Sequence, residues 1–397
     1  MIPKKLDEIN AEDIQSIIGS DIREGRTLDY KQELPGETGD EKREFLADVS
    51  SFANTSGGDI VFGMREEEGV AAEILGIAGT DLDAAILRMD SIIATGIQPR
   101  VRHRIQPVRT ALTVPVVIIR IERSSIGPHR VVFRGHDKFY ARNSAGKYPL
   151  DLTELRDAFL RTSSVSEGIR NFRLERIASI RSGETPVEAP ITPRLVIHLI
   201  PIGAFGGEVD FDMSEFYTHR QQVQPIQTQS WNHRPNLDGL VAYSSIPASV
   251  TGSINYTQLY RSGIVEAVDG AIAQRNSNGH MVIVLQRIEQ TVLQYVPQYF
   301  AHQAALGVSP PVYIFLSLLD AKGSYPYISN AFEIDLDRYS PLDRDRVLLP
   351  ETAILDFGSN IASALRPIFD MLWNSFGFAA STSYNANGDY CLTRQLS

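Results

Sequence analysis

Residues 52–63 read Phe-Ala-Asn-Thr-Ser-Gly-Gly-Asp-Ile-Val-Phe-Gly, and this stretch decides the fold around it. The paired glycines at positions 57 and 58 predict the end of a helix, because glycine readily adopts the left-handed conformation found after helix C-termini. The apolar residues that follow predict a short strand over 59–64. A helix, a tight stop and a strand therefore succeed one another within a few residues.

The residues upstream predict one more helix and one more strand. Apolar residues at helical spacing predict a helix over 41–53 that ends at the paired glycines. Before it, the stretch 27–32 alternates apolar and polar residues, with Asp29 and Lys31 on the polar face. This alternation is typical of a half-buried strand.

Acidic residues flank these elements at three separate places. Glu24 precedes the first strand, Asp29 lies in it, and the acidic run 66–68 follows the second. This order can bring three carboxylates together beside Lys31 at the ends of two strands. Each close pair of carboxylates costs about 4 kcal/mol at an effective dielectric of 20, so such a cluster requires a cation or a proton. Taken alone, Asp29 and Lys31 would be an ordinary exposed pair and the acidic run a solvated turn.

The rest of the first 162 residues predicts a mixture of helices and strands with little βαβ alternation, which favours the α+β class. Asp81 is a candidate N-cap for a further helix. The remaining predicted elements are strands over 101–108, 114–122 and 138–142 and a helix over 153–160.

The second half of the chain predicts another folded body. An arginine-rich helix and a proline-rich stretch make 163–193 the predicted basic helix and linker. We assign 194–397 to a second domain, interpreted as α/β, whose role the sequence does not reveal beyond sensing, partner binding or oligomerisation. Its predicted strands are 194–201, 281–285 and 312–318, and its predicted helices are 290–306 and 360–376.

Length and composition indicate two domains of a soluble protein. The chain has 397 residues, 43% of them hydrophobic, and single cores usually stop growing near 250–300 residues. Its one cysteine, Cys391, excludes an internal disulfide and a zinc site built on several thiolates. No apolar run approaches the roughly 20 residues that cross a bilayer, and the first residues are polar. We therefore expect a cytoplasmic protein that does not enter a membrane.

Charge is distributed unevenly along the chain. The formal net charge is −10, yet eleven Lys and Arg residues lie between Arg100 and Lys147, opposed by Glu122 and Asp137. A positive strip inside an acidic chain indicates a bound polyanion, although solvated strand faces would explain it equally. Arginine outnumbers lysine in the strip, which favours phosphate contact. From Glu188 onward the chain has 12 basic and 19 acidic residues, a composition that disfavours nucleic-acid binding.

Several of these motifs, in this order, resemble the AlbA_2 domain of the Schlafen family over roughly residues 10–160. The family pattern is Glu, four residues, then Glu-Phe-Lys; a helix ending in Ala-Phe-Ala-Asn-x-x-Gly-Gly; a strand ending in Gly; an acidic residue; and a Tyr-x-Arg strand. In this chain the matching residues are Glu24, Asp29-Tyr30-Lys31, Ser51 to Gly58, Gly63, Glu66 and Tyr140-Ala141-Arg142.

The resemblance implies a nucleic-acid-binding α+β module, which in some Schlafen members is a metal-dependent endoribonuclease acting on transfer and ribosomal RNA. Carried over, the nuclease positions are Glu24, Asp29 and Glu66. Asp29 stands where glutamate is usual, and Glu66 stands where aspartate is common, so Glu67 or Glu68 is an alternative. Some bacterial relatives are called transcriptional regulators, and others resemble parts of antiviral defence.

The chemistry of such a trio points to Mg²⁺ or Mn²⁺, which would neutralise the carboxylates and serve phosphodiester cleavage. In this interpretation Glu24, Asp29 and Glu66 hold the ion, and Lys31 assists at the phosphate. The residues predicted to follow a nucleic-acid backbone are Arg102, Arg104, Arg134, Lys138 and Arg142.

The leading hypothesis is therefore an endoribonuclease acting on structured RNA such as tRNA, with DNA as the second possible nucleic acid. The chain has no Gly-x-x-x-x-Gly-Lys-Ser/Thr phosphate loop, and its histidines show no metal-ligand spacing. Two rival classes remain open. One is a non-catalytic DNA- or RNA-binding regulator, and the other is an interaction subunit of a defence complex or a homo-oligomer assembled through the second domain.

Overall fold

The computed structural model describes residues 1–20, 22–79, 81–110, 114–124, 126–187, 191–205, 211–220, 223–246, 255–327 and 340–391. The chain divides into two compact units, Met1–Ser164 and Val165–Ser397. Within the described ranges, no helix is both long enough and apolar enough to cross a membrane.

The first unit combines helices with short strands, in agreement with the predicted α+β class. It begins with a 3-10 turn at Leu6–Glu8. Its helices are α1 (Ala11–Gly19), α2 (Gly39–Asn54) and α3 (Leu82–Gly96). Its strands are β1 (Leu28–Lys31), β2 (Gly58–Phe62), β3 (Met64–Glu67), β4 (Val70–Ile74), β5 (Ile97–Gln98), β6 (His103–Val108), β7 (Val116–Ile121), β8 (Arg130–Phe133), β9 (His136–Asn143) and β10 (Gly146–Pro149).

A four-stranded sheet in the order β1-β2-β7-β6 forms the centre of this unit. β1 and β2 are parallel, and the other pairs are antiparallel. Successive residues point to opposite faces of a strand. On β2, Ile60 accordingly packs in a core with α2 and α3, whereas Val61 packs in a separate core with α1 and the chain's first residues. Both faces of the sheet are therefore covered.

A second sheet, in the order β10-β9-β8-β5, lies on the other side of α2. Every α2 residue from Phe45 to Ala53 is buried, including Asp48. An amphipathic surface helix would expose one side. This helix is covered on both sides in its second half because it packs between two sheets, so its polar residues need partners inside the protein.

The paired glycines end α2 for a steric reason. Gly57 has φ +68°, in the left-handed region. A Cβ at Gly57 would lie 2.7 Å from the backbone nitrogen of Arg123, and one at Gly58 would lie 2.6 Å from the carbonyl oxygen of Thr27. The helix stop predicted from these residues is confirmed, and the close approach of neighbouring strands is why both positions are glycine.

The acidic run after β2 lies in a β-hairpin, where the sequence suggested a turn or loop. Glu66 and Glu67 belong to β3, which pairs with β4 in a separate two-stranded sheet. Glu68, with φ 52°, and Gly69, with φ 77°, form the turn between the two strands. The local acidic composition obscured the strand, because pairing with β4 rather than intrinsic propensity holds it in place.

The second unit is built around a large sheet. Its helices are the later part of α4 (Leu152–Ser182), α5 (Met213–His219), α6 (Leu285–Ala305) and α7 (Ile361–Asn374). Its strands are β11 (Arg194–Pro201), β12 (Trp231–Pro235), β13 (Gly239–Ser244), β14 (Asn255–Tyr260), β15 (Val265–Asp269), β16 (Ala273–Arg275), β17 (Met281–Val284), β18 (Val312–Leu319), β19 (Tyr325–Tyr327), β20 (Arg346–Leu348) and β21 (Thr352–Ile354).

Helices cover both faces of this sheet, whose order is β12-β13-β14-β15-β11-β18-β20, with β21 also paired to β18. On β11, Leu195 and Ile197 pack with α6 and α7, whereas Val196 packs against Ile177 and Ile180 of α4. The continuous apolar run predicted as an interior strand over 194–201 is confirmed, since every residue of β11 is buried.

The second unit contains both helices and strands, as the sequence interpretation expected. The paired strands of its large sheet are all antiparallel.

The basic helix assigned to a linker over 163–193 is also a structural element. α4 is one continuous helix where two were expected, and Arg173 on it is only 7% exposed. The guanidinium of Arg173 donates to the carbonyl oxygens of Leu316 and Leu349 at 2.8 Å each. Residues 188–190 of the predicted linker lie outside the described ranges.

Candidate functional site

The alternation of β1 places Asp29 and Lys31 on the face of the first sheet that is turned towards α2. Their neighbours Leu28 and Tyr30 pack on the opposite face, in the core formed with α1. Asp29 is 3% exposed, because α2 and β9 cover it. The predicted polar face of β1 is therefore an interior surface, and its charges require partners.

Both carboxylate oxygens of Asp29 face cations. Oδ1 accepts a hydrogen bond from Nη2 of Arg142 at 2.5 Å, and Oδ2 lies 2.6 Å from Nζ of Lys31. Burial alone would raise the pKa of Asp29, but Arg142 and Lys31 together lower it below the usual value. Asp29 is thus ionised and paired inside the protein.

Arg142 is an interior residue, and its burial argues against the predicted contact with a nucleic-acid backbone. Its side chain is 4% exposed. Its Nε donates to the carbonyl oxygen of Gly25 at 2.8 Å, and its guanidinium lies 4.4 Å from the centre of the Phe52 ring. A buried guanidinium that stacks on an aromatic ring and pairs with Asp29 is held by the fold.

Asp48 is a buried charge that sequence reasoning missed. It accepts a hydrogen bond from Nζ of Lys147 at 2.8 Å, and it lies 3.7 Å from Nη1 of Arg142. Burial raises the pKa of Asp48 and the charge of Asp29 raises it further, against the opposing effect of Lys147. The sequence does contain an indication of this burial, because Asp48 lies three residues after Phe45 and four before Phe52, on the apolar face of α2.

Glu24 lies close enough to Asp29 and Glu66 for their charges to interact. Its Oε1 accepts a hydrogen bond from the N–H of Tyr30 at 2.5 Å, and its own N–H donates to the carbonyl oxygen of Gly69 at 2.7 Å. Burial raises the pKa of Glu24, and Asp29 and Glu66 add to the rise. Glu66 itself is exposed, and its Oε2 accepts from the N–H of Gly69 at 2.6 Å.

The arrangement of these carboxylates does not fit a divalent metal ion. Across the described ranges, no group of three or more His, Cys, Asp or Glu side chains is arranged to hold one. Mg²⁺ requires free carboxylate oxygens at about 2.1 Å, whereas Asp29 presents its two oxygens to Arg142 and Lys31. The repulsion expected among the acidic side chains is instead offset by cations of the chain itself.

The basic residues predicted to bind nucleic acid do not share one surface. Arg104 on β6 is exposed and lies opposite Arg120 of β7. Its strand neighbour Ile105 packs towards α2, so Arg104 lies on the other face of the first sheet. Arg102 lies just before β6 and is half-buried.

Arg134 and Lys138, in contrast, lie near the beginning of α2. Gly39 lies in the first turn of α2, and a Cβ at this position would lie 2.8 Å from Nη1 of Arg134. The charges of Lys138 and Arg43 both act on His136, and those of Arg43 and Lys147 both act on Tyr140. We call Arg43, Arg134, Lys138 and Lys147 the basic cluster.

Asn54, the last residue of α2, fixes the second sheet to this helix. Its Nδ2 donates to the carbonyl oxygens of His129 and Tyr140 at 2.9 and 2.8 Å, and its Oδ1 accepts from the N–H of His129 at 2.6 Å. These bonds span two chain segments, so the helix sequence alone could not reveal them. They hold β9, and therefore the basic cluster, against α2.

Comparison with known proteins relates residues 24–151, within the first unit, to a family domain. No curated protein matches the chain. Among solved structures, the DIP2311 protein from Corynebacterium diphtheriae is 18% identical over 36% of this chain and 27% of its own length, with a TM-score of 0.26. This match spans about a quarter of that protein.

The N-terminal domain of a putative ATP-dependent DNA helicase RecG-related protein from Nitrosomonas europaea is 16% identical. The match covers 34% of this chain and 88% of that domain, with a TM-score of 0.27. Similarity at this level carries no argument about function. Residues 24–151, which contain the site described above, match the model of the Schlafen AlbA_2 domain.

Proposed function

We propose that the first unit binds nucleic acid without cleaving it, through phosphate contacts of the basic cluster. The observation that carries this proposal is the pairing of Asp29, the central carboxylate of the family pattern, with Arg142 and Lys31. A carboxylate that is already neutralised inside the protein serves the fold. The match of residues 24–151 to the Schlafen AlbA_2 domain supports nucleic acid as the ligand.

The position of the basic cluster supports phosphate as the group contacted. Arg134 and Lys138 are exposed on one side of the first unit, close to Arg43 of α2. Arginine and lysine side chains supply most phosphate contacts in nucleic-acid complexes, and such contacts give affinity without sequence preference. The overall charge of −10 does not oppose this, because binding depends on the local field.

The second candidate is the metal-dependent endoribonuclease that the family resemblance implies, with tRNA-like RNA as substrate. One observation favours it: the pKa of Glu24 is raised by burial and by its neighbours Asp29 and Glu66. Perturbed carboxyl groups are enriched at catalytic sites. In this candidate Lys31, whose side chain is 39% exposed, would contact the phosphate.

Binding titrations at several salt concentrations test the proposal. We expect the full-length protein to bind tRNA or duplex DNA with an affinity that falls as salt rises. Arg134→Ala and Lys138→Ala should each reduce the slope of log affinity against log salt by about one. Arg104→Ala removes the same charge from the opposite face of the first sheet and is the matched control, with a smaller change expected.

Incubation of the same protein with tRNA and Mn²⁺ separates the two candidates. We expect intact tRNA after prolonged incubation. Cleavage that disappears in Glu24→Gln would establish the nuclease instead, since glutamine keeps the acceptor for the N–H of Tyr30 and removes only the charge. Absence of salt-dependent binding to every nucleic acid tested would refute both candidates.

A further inference from the structure

Two aromatic rings lie beside each other within the basic cluster. His136 and Tyr140, both on β9, have ring planes 16° apart and ring centres 5.9 Å apart. Nε2 of His136 and the hydroxyl of Tyr140 are 2.7 Å apart, and this hydrogen bond fixes the two rings relative to each other. Tyr140 packs against the core around α2, so His136 is the outer ring of the pair.

The surroundings of His136 favour the uncharged form of its ring. Burial and the charges of Arg43 and Lys138 lower the pKa of His136, against a smaller opposing effect of Asp137. Two further carboxylates lie on this side: Glu44, near Tyr140, pairs with Lys147, and Asp40 pairs with Arg43. The pair is therefore a flat aromatic surface bordered by cations on both α2 and β9.

Single-stranded nucleic acids bind to surfaces that combine aromatic rings with nearby cations. Their unpaired bases stack on aromatic side chains while nearby cations follow the backbone phosphates. A duplex keeps its base faces stacked inside and cannot use such a ring. Arg134, which lies over the first turn of α2, and Lys138, between the two aromatic residues on β9, are placed to contact phosphates beside a base on His136.

We propose that the His136–Tyr140 pair is a stacking platform for an unpaired base, so that the site takes single-stranded segments of nucleic acid in preference to continuous duplex. This inference rests on the proposed nucleic-acid binding and specifies its ligand.

Fluorescence-anisotropy titrations of the full-length protein test the platform. The ligands are a 12-nucleotide single strand, the same strand with abasic sites at its central positions, and a blunt duplex of the same length. We expect the intact strand to bind about fivefold or more tightly than the other two, in line with the usual contribution of base stacking.

Variants of the outer ring give the second readout. His136→Ala should weaken binding of the intact strand about fivefold and leave the abasic strand unaffected, whereas His136→Phe, which keeps a flat ring, should retain most of the affinity. Arg104→Ala on the opposite sheet face should leave the preference for the intact strand unchanged. The comparison of ligands on the unmodified protein needs no variant, so the test holds even if a variant folds poorly.

The outcomes separate this inference from the proposed function. Equal binding of the intact strand, the abasic strand and the duplex would overturn the stacking platform and leave phosphate-mediated binding in place. Failure of all three ligands to bind would refute the proposed function itself. A preference for the intact strand that survives in His136→Ala would place base recognition elsewhere and would also overturn the platform.

Discussion

Charged side chains inside the first unit form ion pairs with one another. Asp29 pairs with Arg142 and Lys31, and Asp48 pairs with Lys147. A buried ion pair is weak evidence for net stability, because removing two charges from water costs several kcal/mol for each ion. Loss of one partner is different, since it leaves the other charge buried without compensation.

Replacement of Asp29 by Asn tests this point. We expect Asp29→Asn to lower the free energy of unfolding by about 3–5 kcal/mol, because Arg142 would remain buried with only the more distant Asp48 as a counter-charge. Urea denaturation followed by circular dichroism measures the change. The double variant Asp29→Asn with Arg142→Met should lose clearly less than the two single losses added together. Additive losses would show that the two residues do not act as a pair.

The buried carboxyl group of Asp269, in the second unit, leads us to predict that the stability of the protein depends on pH. It is fully buried, burial raises its pKa from 3.8 to about 6, and its Oδ2 has no hydrogen-bond partner in the part of the chain that the structure describes. Because the folded state binds the proton more tightly than the unfolded state, stability falls as pH rises through the window from about 4 to 6. The loss is on the order of 3 kcal/mol, since one pKa unit corresponds to 1.36 kcal/mol.

Asp269→Asn should remove this dependence. Asparagine keeps an acceptor for the N–H of Ala271, which Asp269 binds at 2.9 Å, and it carries no charge at any pH. We expect the variant to be more stable than the original protein at pH 7 and about equally stable at pH 4. Urea unfolding at pH 4, 5, 6 and 7 measures both proteins. If the unfolding free energies of the two proteins changed with pH in the same way, the assignment of this pH dependence to Asp269 would be contradicted.

At the scale of elements, α4 shows how a charged helix becomes part of a core. Arg176 pairs with Glu266 of β15 at 2.9 Å, and His198 and Tyr256 bind the same carboxylate. Glu266 is fully buried, which alone would raise its pKa, yet His198 and Arg176 lower the pKa of Glu266 to about 2. These contacts fix the later part of α4 against the large sheet.

Two arginines of α4 make a matched test of this anchoring. Arg176→Met should lower the free energy of unfolding by about 3–5 kcal/mol, because it leaves the charge of Glu266 buried with fewer partners. Arg170→Met is the control, since Arg170 is 65% exposed where it pairs with Glu351, and exposed ion pairs contribute little to stability. Chemical denaturation measures the loss of stability in each of the two variants. Equal losses would mean that α4 is not anchored through Glu266.

For the whole molecule, the internal pairing of carboxylates predicts that divalent ions do not contribute to folding. A ligand that binds only the folded state raises the melting temperature in proportion to the logarithm of its concentration. Asp29 and Asp48 of the described site already face Arg142, Lys31 and Lys147. We expect melting curves to coincide in 1 mM Mn²⁺ and in excess EDTA. A Mn²⁺-dependent rise that disappears in Glu24→Gln would contradict this and favour the nuclease.

Much of the first unit could be predicted from local patterns. The helix before Gly57, the strand after it and the alternation around Asp29 all follow from side-chain periodicity and from backbone angles that only glycine adopts easily. The interior strand 194–201 was predictable from its continuous apolar sequence. The hairpin formed by β3 and β4 was not, since cross-strand pairing holds an acidic segment that has little strand propensity of its own.

The partners of the charged residues were decided by the tertiary structure alone. Arg142 meets Asp29 across 113 residues of sequence, and Lys147 meets Asp48 across 99. The AlbA_2-like order of motifs and the positive strip can be recognised in the sequence, because both consist of residues that are close together in the chain. The sequence could not show that Arg142 is buried in the protein interior while Arg134 and Lys138, from the same strip, are exposed. That division depends on α2 packing between two sheets, where a buried carboxylate requires a cation within hydrogen-bonding distance.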